Sequence, residues 1–252
     1  MSESQAGSYG LGRGAKGRAT AGALGAALAA GIIIALGGLG ADASAQGVGI
    51  RLGYNYSDMY MRYSTFGRDV EWRRSGTFRG NFGYHAGLSV DIPISEVDIQ
   101  GIPYMFGLNP CVMFVSKGGK NTGNIYWVNA SNQRIGTAEY TIEAYYVDVP
   151  LPLSFKREFT GYSVRAEFGP YVSVGLFGKQ ELKVNLYSGA PYPPYTQDTF
   201  SDEGLERIDA GLFYGVIVEF GKVIFLGVRA GSSLTDDSIN AVYVTLGYNI
   251  NF

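Results

Sequence analysis

The chain has 252 residues, 46% of them hydrophobic and 17% charged, with a formal net charge of −2. That length suits one large domain or two small ones, and the charge balance offers no basic surface for nucleic acid. A single cysteine, Cys111, excludes a disulfide framework and a cysteine-based zinc cluster, and 14% aromatics exclude a disordered chain.

Residues 1–45 differ from the rest. They hold 11 of the 37 glycines and one aromatic, Tyr9. Arg13, Lys16 and Arg18 precede an uncharged stretch from Ala19 to Gly40 centred on Ile32-Ile33-Ile34, and Ala43 and Ala45 supply a small-x-small exit. Basic start, apolar centre and small-residue exit predict a secretory signal peptide over 1–45, with cleavage near Gln46. A retained membrane helix is the alternative that the stretch's length allows. The absence of cysteine near the cleavage site excludes a lipoprotein anchor.

Residues 46–252 contain 18 tyrosines against 13 leucines, a bias towards pleated, half-buried surfaces rather than helical bundles. Their apolar residues alternate with period two, the mark of strands whose faces meet different surroundings. Val48, Ile50, Leu52, Tyr54 and Tyr56 open the pattern, and Val242, Val244, Leu246, Tyr248, Ile250 and Phe252 close it. Similar segments fall at about 80–93, 102–117, 140–156, 162–179, 208–220 and 223–231. The third and fourth are less regular, since they contain Pro110, Pro150 and Pro152. Connections near 94–101, 157–161 and 221–222 are short, whereas those near 58–79, 118–139 and 180–207 are long. Short turns at one end and long loops at the other predict an eight-stranded antiparallel up-and-down transmembrane β-barrel.

A soluble barrel would alternate in the same way but with its apolar face inside. Here the polar face is rich in glycine and poor in charge, unlike a water-exposed face. Aromatics gather at both strand ends: Tyr54, Tyr56 and Tyr84 towards the loops, and Phe155, Tyr162, Phe220 and Phe252 towards the turns. Two such belts belong to a membrane interface, so the apolar face is expected to meet lipid.

Parity then places Arg51, Arg165 and Arg229 in the lumen with Asp91, Asp148, Glu167, Asp209 and Glu219. An eight-stranded lumen is only wide enough for side chains, so a plug of salt bridges is the expectation and an ion path the alternative. His85, the only histidine, shares a face with Ser89 and Asp91. Its separation from Ser89, about 13 Å at strand rise, does not suit a Ser-His-Asp hydrolase. With neither a His pair nor a Cys pair, no metal site and no cofactor are expected, and Cys111 reads as a lumen-facing spectator. The first loop carries Arg73 and Arg74, which suit lipopolysaccharide phosphates or an ordinary charged loop. The third carries Tyr192 and Tyr195 in a proline-rich, extended stretch that suits a partner protein or an unpartnered loop.

Gly47-Val48-Gly49-Ile50-Arg51-Leu52-Gly53, Tyr84-His85-Ala86-Gly87-Leu88, Tyr146-Val147-Asp148-Val149-Pro150-Leu151, Phe168-Gly169-Pro170-Tyr171-Val172 and Asp209-Ala210-Gly211 together resemble the PorT-type family of small bacterial outer-membrane barrels, often labelled porin-family proteins. The third strand departs from that pattern, with Cys111 after Pro110 where an acidic residue is common in the family. The ending Thr245-x-Gly247-x-x-Ile250-x-Phe252 resembles the assembly signal read by the barrel-insertion machinery of Gram-negative envelopes. The resemblance implies a multi-pass protein of the bacterial outer membrane, a porin label and, in some relatives, a secretion-accessory role. With the residue reading, the expectation is a non-catalytic envelope, binding or secretion-accessory protein, acting through its long loops with outer-membrane lipid and lipopolysaccharide around it. A small-solute channel is the alternative.

Overall fold

The computed structural model describes residues 47–59, 65–66, 70–74, 79–127, 133–189, 194–200, 205, 207–235 and 239–251. These lie in the compact unit Ala41–Phe252, and the signal peptide expected over 1–45 falls outside them.

The described residues form thirteen strand segments in one sheet. In chain order they are β1 (Gly47–Met59), β2 (Thr65–Phe66), β3 (Val70–Arg74), β4 (Arg79–Ile99), β5 (Ile102–Leu108), β6 (Cys111–Trp127), β7 (Arg134–Pro150), β8 (Leu153–Phe159), β9 (Tyr162–Leu186), β10 (Tyr195–Asp198), β11 (Ile208–Phe220), β12 (Ile224–Ser233) and β13 (Ile239–Asn251). All pairings are antiparallel. β4 pairs with β5 over one half and with β6 over the other. β5 pairs with β8 and β6 with β7, and both β8 and β7 lie on β9. From β9 the order runs to β11, β12 and β13. β13 then closes the ring on β1, from Gly47↔Asn251 to Met59↔Ile239.

The ring therefore follows eight passes of the chain, but not as eight unbroken strands. The third pass is β5 plus β6 and the fourth is β7 plus β8, interrupted where Pro110 and Pro152 cannot donate to the ladder. Neighbouring carbonyls keep the wall closed at both breaks. The Val90 amide donates to the Pro110 carbonyl (3.0 Å), Asn109 to Pro152 (3.0 Å) and Leu151 to Pro170 (2.9 Å).

Several expected boundaries move. The connection near 94–101 contracts to Gln100-Gly101, because β4 continues to Ile99. The loop expected over 118–139 is largely strand, since β6 runs to Trp127 and β7 starts at Arg134. Within 58–79, β3 pairs with the upper end of β6, and within 180–207, β10 pairs with β9. Each shift has one cause. Beyond the apolar belt the outward face of a strand carries polar residues such as Thr122, Asn124, Thr137 and Glu139, so the period-two contrast fades although the backbone ladder continues. At the other end the turns are tight. Gln100 and Gly101 (φ 55° and 78°), like Gly221 and Lys222 (φ 59° and 60°), take the paired left-handed conformation whose twist matches a hairpin.

β9 contains a bulge: Tyr145 faces Phe177 and Tyr146 faces Gly175, so Leu176 has no partner in that ladder. Before it, odd-numbered residues such as Ser163, Arg165, Glu167, Tyr171 and Ser173 are buried; after it, Gln180 and Leu182 are.

Burial inverts that of a soluble barrel. Leu52, Leu246 and Leu226 lie side by side across β1, β13 and β12, and all three are about half exposed, at 58%, 59% and 49%. Tyr54, Val244 and Val228 repeat the row one step further. Such a continuous exposed apolar surface is far larger than a soluble monomer carries. The interior is filled instead by charged side chains, aromatics and small apolar groups.

Candidate functional site

The most chemistry-bearing part of the molecule is the lumen, and it is arranged in tiers. At the turn end, Arg165 from β9 lies between two carboxylates, with Nη2 2.6 Å from Asp91 and 2.7 Å from Glu219. Lys156 from β8 reaches the same Glu219 at 2.7 Å, and the Ser163 hydroxyl donates to it at 3.0 Å. Two cations and two carboxylates thus balance locally.

One step inward, Glu167 serves two guanidiniums. Arg229 Nε donates to Oε2 at 2.8 Å, and Arg51 Nη2 lies 3.8 Å from Oε1. Arg51 also donates to Asn109 Oδ1, and Arg229 Nη1 to the Thr245 hydroxyl at 3.2 Å. The Phe225 ring lies over the Arg51 guanidinium, 5.4 Å from its carbon. Gly247 makes room for that ring, because a Cβ there would fall 1.9 Å from it. Arg51 Nε and Nη1, Arg165 Nε and Arg229 Nη2 are buried with no hydrogen-bond partner in the protein.

Further towards the loops, Lys117 donates to Asp148 at 2.9 Å and to Ser173 at 3.3 Å. Asp148 accepts also from the Tyr243 hydroxyl at 2.9 Å and from Ser173. The last carboxylate, Asp209, is held by hydroxyls: Tyr171 at 2.9 Å, Ser233 at 2.6 Å and Thr235 at 3.0 Å.

The eight charges that parity places inward are therefore all in the lumen, buried except for Asp91, whose side chain is 28% exposed. Sequence reasoning missed Lys117 and Lys156, and their absence left an apparent excess of acid. With them the lumen carries five cations and five carboxylates among the described residues. Lys117 escapes notice because both faces of β6 are apolar around it, with Cys111, Met113 and Val115 pointing inward. Lys156 was legible, since Ser154 and Lys156 alternate with Leu153 and Phe155.

Above the charged tiers the mouth combines apolar side chains with buried Ser57, Asn121 and Gln180. Ile142, Ala144, Tyr146, Leu182 and Ile239 form a buried cluster with Phe200 and Leu205, which come from the segment between β10 and β11. Part of the third long connection is thus turned inward.

An apolar exterior around a charged, filled interior is the inside-out pattern of a membrane barrel, and residues 42–237 match the family described as outer membrane protein beta-barrel domain. The chain belongs to that family. No curated protein matches it. Among solved structures, Ail, the attachment invasion locus protein of Yersinia pestis, in complex with the heparin analogue sucrose octasulfate, is 13% identical over 81% of this chain and 99% of its own, with a TM-score of 0.38. Neisserial surface protein A is 10% identical over 81% and 97%, with a TM-score of 0.34. OprG from Pseudomonas aeruginosa is 10% identical over 82% and 97%, also with a TM-score of 0.34.

Within this outer-membrane barrel, His85 Nε2 is 2.9 Å from the Thr245 hydroxyl, and its ring stands edge-on to Tyr243. Ser89 donates instead to the Gly49 carbonyl at 3.5 Å, so His85 and Ser89 form no catalytic pair. Cys111 is free and buried among Met113, Val115 and Tyr171. Among the described residues no three His, Cys, Asp or Glu side chains group as metal ligands would.

Of the C-terminal motif, Thr245 and Gly247 face the lumen, Ile250 faces outward, and Phe252 lies outside the described residues. Both lumen-facing members have a structural task, Thr245 as a hydrogen-bond partner of His85 and Arg229, and Gly247 beneath Phe225. Arg73 and Arg74 lie on β3, paired with Asn124 and Gly123. Tyr195 opens β10 opposite Leu182, and Tyr192 lies outside the described residues.

Proposed function

We propose that this outer-membrane barrel is non-catalytic, that its lumen is closed to solutes, and that it works through its loop end as a binding or secretion-accessory protein of the envelope. The observation that carries the reading is the ladder of five cations and five carboxylates that occupies an eight-pass lumen. On this reading residues 1–45 are a cleaved signal peptide, and the C-terminal motif addresses the barrel-insertion machinery. Arg73 and Arg74 then meet lipopolysaccharide phosphates, and Tyr192 and Tyr195 meet an envelope partner. The PorT-like resemblance belongs to the same proposal.

A second reading, a small-solute channel, is favoured by the buried guanidinium N–H groups of Arg51, Arg165 and Arg229 that no protein atom accepts. Such groups call for water, and water along the ladder would make a path.

Planar-bilayer recording of the protein refolded without residues 1–45 separates the two. A shift in gel mobility between unheated and boiled samples first establishes folding. A folded, electrically silent protein supports the closed barrel. Reproducible conductance steps that change with Arg165→Ala or Glu167→Ala overturn it in favour of the channel.

A further inference from the structure

We propose that Thr199, Phe200, Leu205 and Arg207 form a stopper seated in the loop-side mouth, and that the polar lumen beneath it opens to solvent at the turn end. This does not rest on the closed-barrel reading, because a seated segment could stop a conducting barrel as well as a filled one. It assigns an intramolecular docking site, with Thr199, Phe200, Leu205 and Arg207 as the occupant and β7 and β9 as the seat.

The seat is shaped for this occupant. At Gly175 an added Cβ would fall 2.3 Å from the Phe200 ring, and the three nearest atoms all belong to that ring. At Gly178 it would fall 2.5 Å from the Glu143 carbonyl of the wall and 2.6 Å from the Thr199 hydroxyl. Both glycines flank the bulge at Leu176, where β9 passes from its pairing with β11 to its pairing with β10, and the segment carries both ladders into the gap. The Gly175 amide donates to the Arg207 carbonyl at 2.6 Å. Arg207 Nη1 in turn donates to the Leu176 carbonyl at 3.2 Å and, at 3.4 Å, to that of Gly175.

Polar pins hold the other end. The Thr199 amide donates to the Gly178 carbonyl at 3.2 Å, its hydroxyl to the Glu143 carbonyl at 3.0 Å, and Gln180 Nε2 to the Thr199 carbonyl at 3.0 Å. The Leu205 amide returns to the Thr199 carbonyl at 2.7 Å, which closes the segment on itself.

Between these pins Phe200 stands edge-on to Tyr146, with ring centroids 5.4 Å apart. Tyr146 lies in turn over Lys117, whose Nζ is 4.8 Å from its ring centre. Tyr146 therefore separates the first ion pair of the lumen from the apolar stopper. At the opposite end the exposure of Asp91 (28%) and Lys156 (13%) marks where solvent reaches the charged ladder. A polar column covered by Phe200 and Leu205 at one end and carrying exposed charges at the other admits water at the charged end.

The test uses the full barrel with Cys111→Ser, so that one introduced thiol reports. Ile142→Cys lies under the stopper, and its reaction with a water-soluble maleimide is expected to be slow. Gly175→Ala, which pushes out only the Phe200 ring, or Phe200→Ala, is expected to speed it at least tenfold. Equal rates with and without these changes, in variants that retain the folded gel mobility, would overturn the stopper. Asp91→Cys is expected to react rapidly whether or not the stopper is seated. Its protection in the otherwise unchanged barrel would overturn the turn-side opening. Hydrogen exchange on the unmodified protein needs no variant to fold. The Thr199 and Leu205 amides should exchange at least a hundredfold slower than in an open chain, and open-chain rates would refute the seat.

Discussion

The lumen's turn-side half and its loop-side mouth are both filled, but by different means. Below Asp148 the filling comes from the wall itself: Arg51, Lys156, Arg165, Glu167, Glu219 and Arg229 project inward from strands whose other face is apolar. At the mouth, part of the filling arrives from a connection, as Phe200 and Leu205 turn in against Ile142, Tyr146 and Leu182. Wall-borne filling cannot leave without unfolding the ring, whereas a connection can undock while every strand stays paired. The first region should therefore govern global stability and the second local protection.

Substitutions can break that contrast. The largest effect is expected at Glu167→Ala, which strands two buried guanidiniums and should cost about 3–5 kcal/mol. Urea unfolding of the refolded barrel measures it, and a loss below about 1 kcal/mol would mean the ladder is hydrated well enough to do without its central carboxylate. Asp148→Asn keeps the shape but removes the counter-charge of Lys117. A loss of about 1–3 kcal/mol is expected in the same assay.

Phe200→Ala sharpens the comparison. In an ordinary core that change costs about 3–5 kcal/mol. Here the global midpoint should move far less, while exchange protection of the Thr199 and Leu205 amides disappears. A midpoint shift as large as that of Glu167→Ala would place the mouth in the same cooperative unit as the ladder. Least of all, Lys120→Ala removes the exposed pair with Glu139 (2.7 Å) and should change stability by under about 1 kcal/mol.

What the sequence made legible follows the same division. Period-two contrast exists only where one face meets lipid and the other a polar interior, so parity found Arg51, Glu167 and Arg229 without any knowledge of contacts. It failed at Lys117, where inward Met113 and Val115 remove the contrast. Past Lys120 and Glu139, strand continues to Trp127 and resumes at Arg134, with polar residues on both sides. Phe200 and Leu205 belong to no alternating pattern. The only trace of their seating is the pair Gly175 and Gly178 in a strand otherwise rich in side chains, and a glycine in a strand has several meanings. Pro110 and Pro152 were visible as irregularities, but that the wall closes around them depends on carbonyl partners from other passes.

The bulge at Leu176 makes β9 behave like a message with a reading frame. Residues before it are written in odd phase and those after it in even phase, and the extra residue is the punctuation between them. Loss of Leu176 alone would remove that punctuation and leave every other residue on its present face. Phe177 would then stand outward between Gly175 and Gly178, and Gln180 and Leu182 would still face the lumen. In descent, the loss of one residue can be absorbed at Leu176, while the same loss elsewhere in this strand turns side chains from one face to the other.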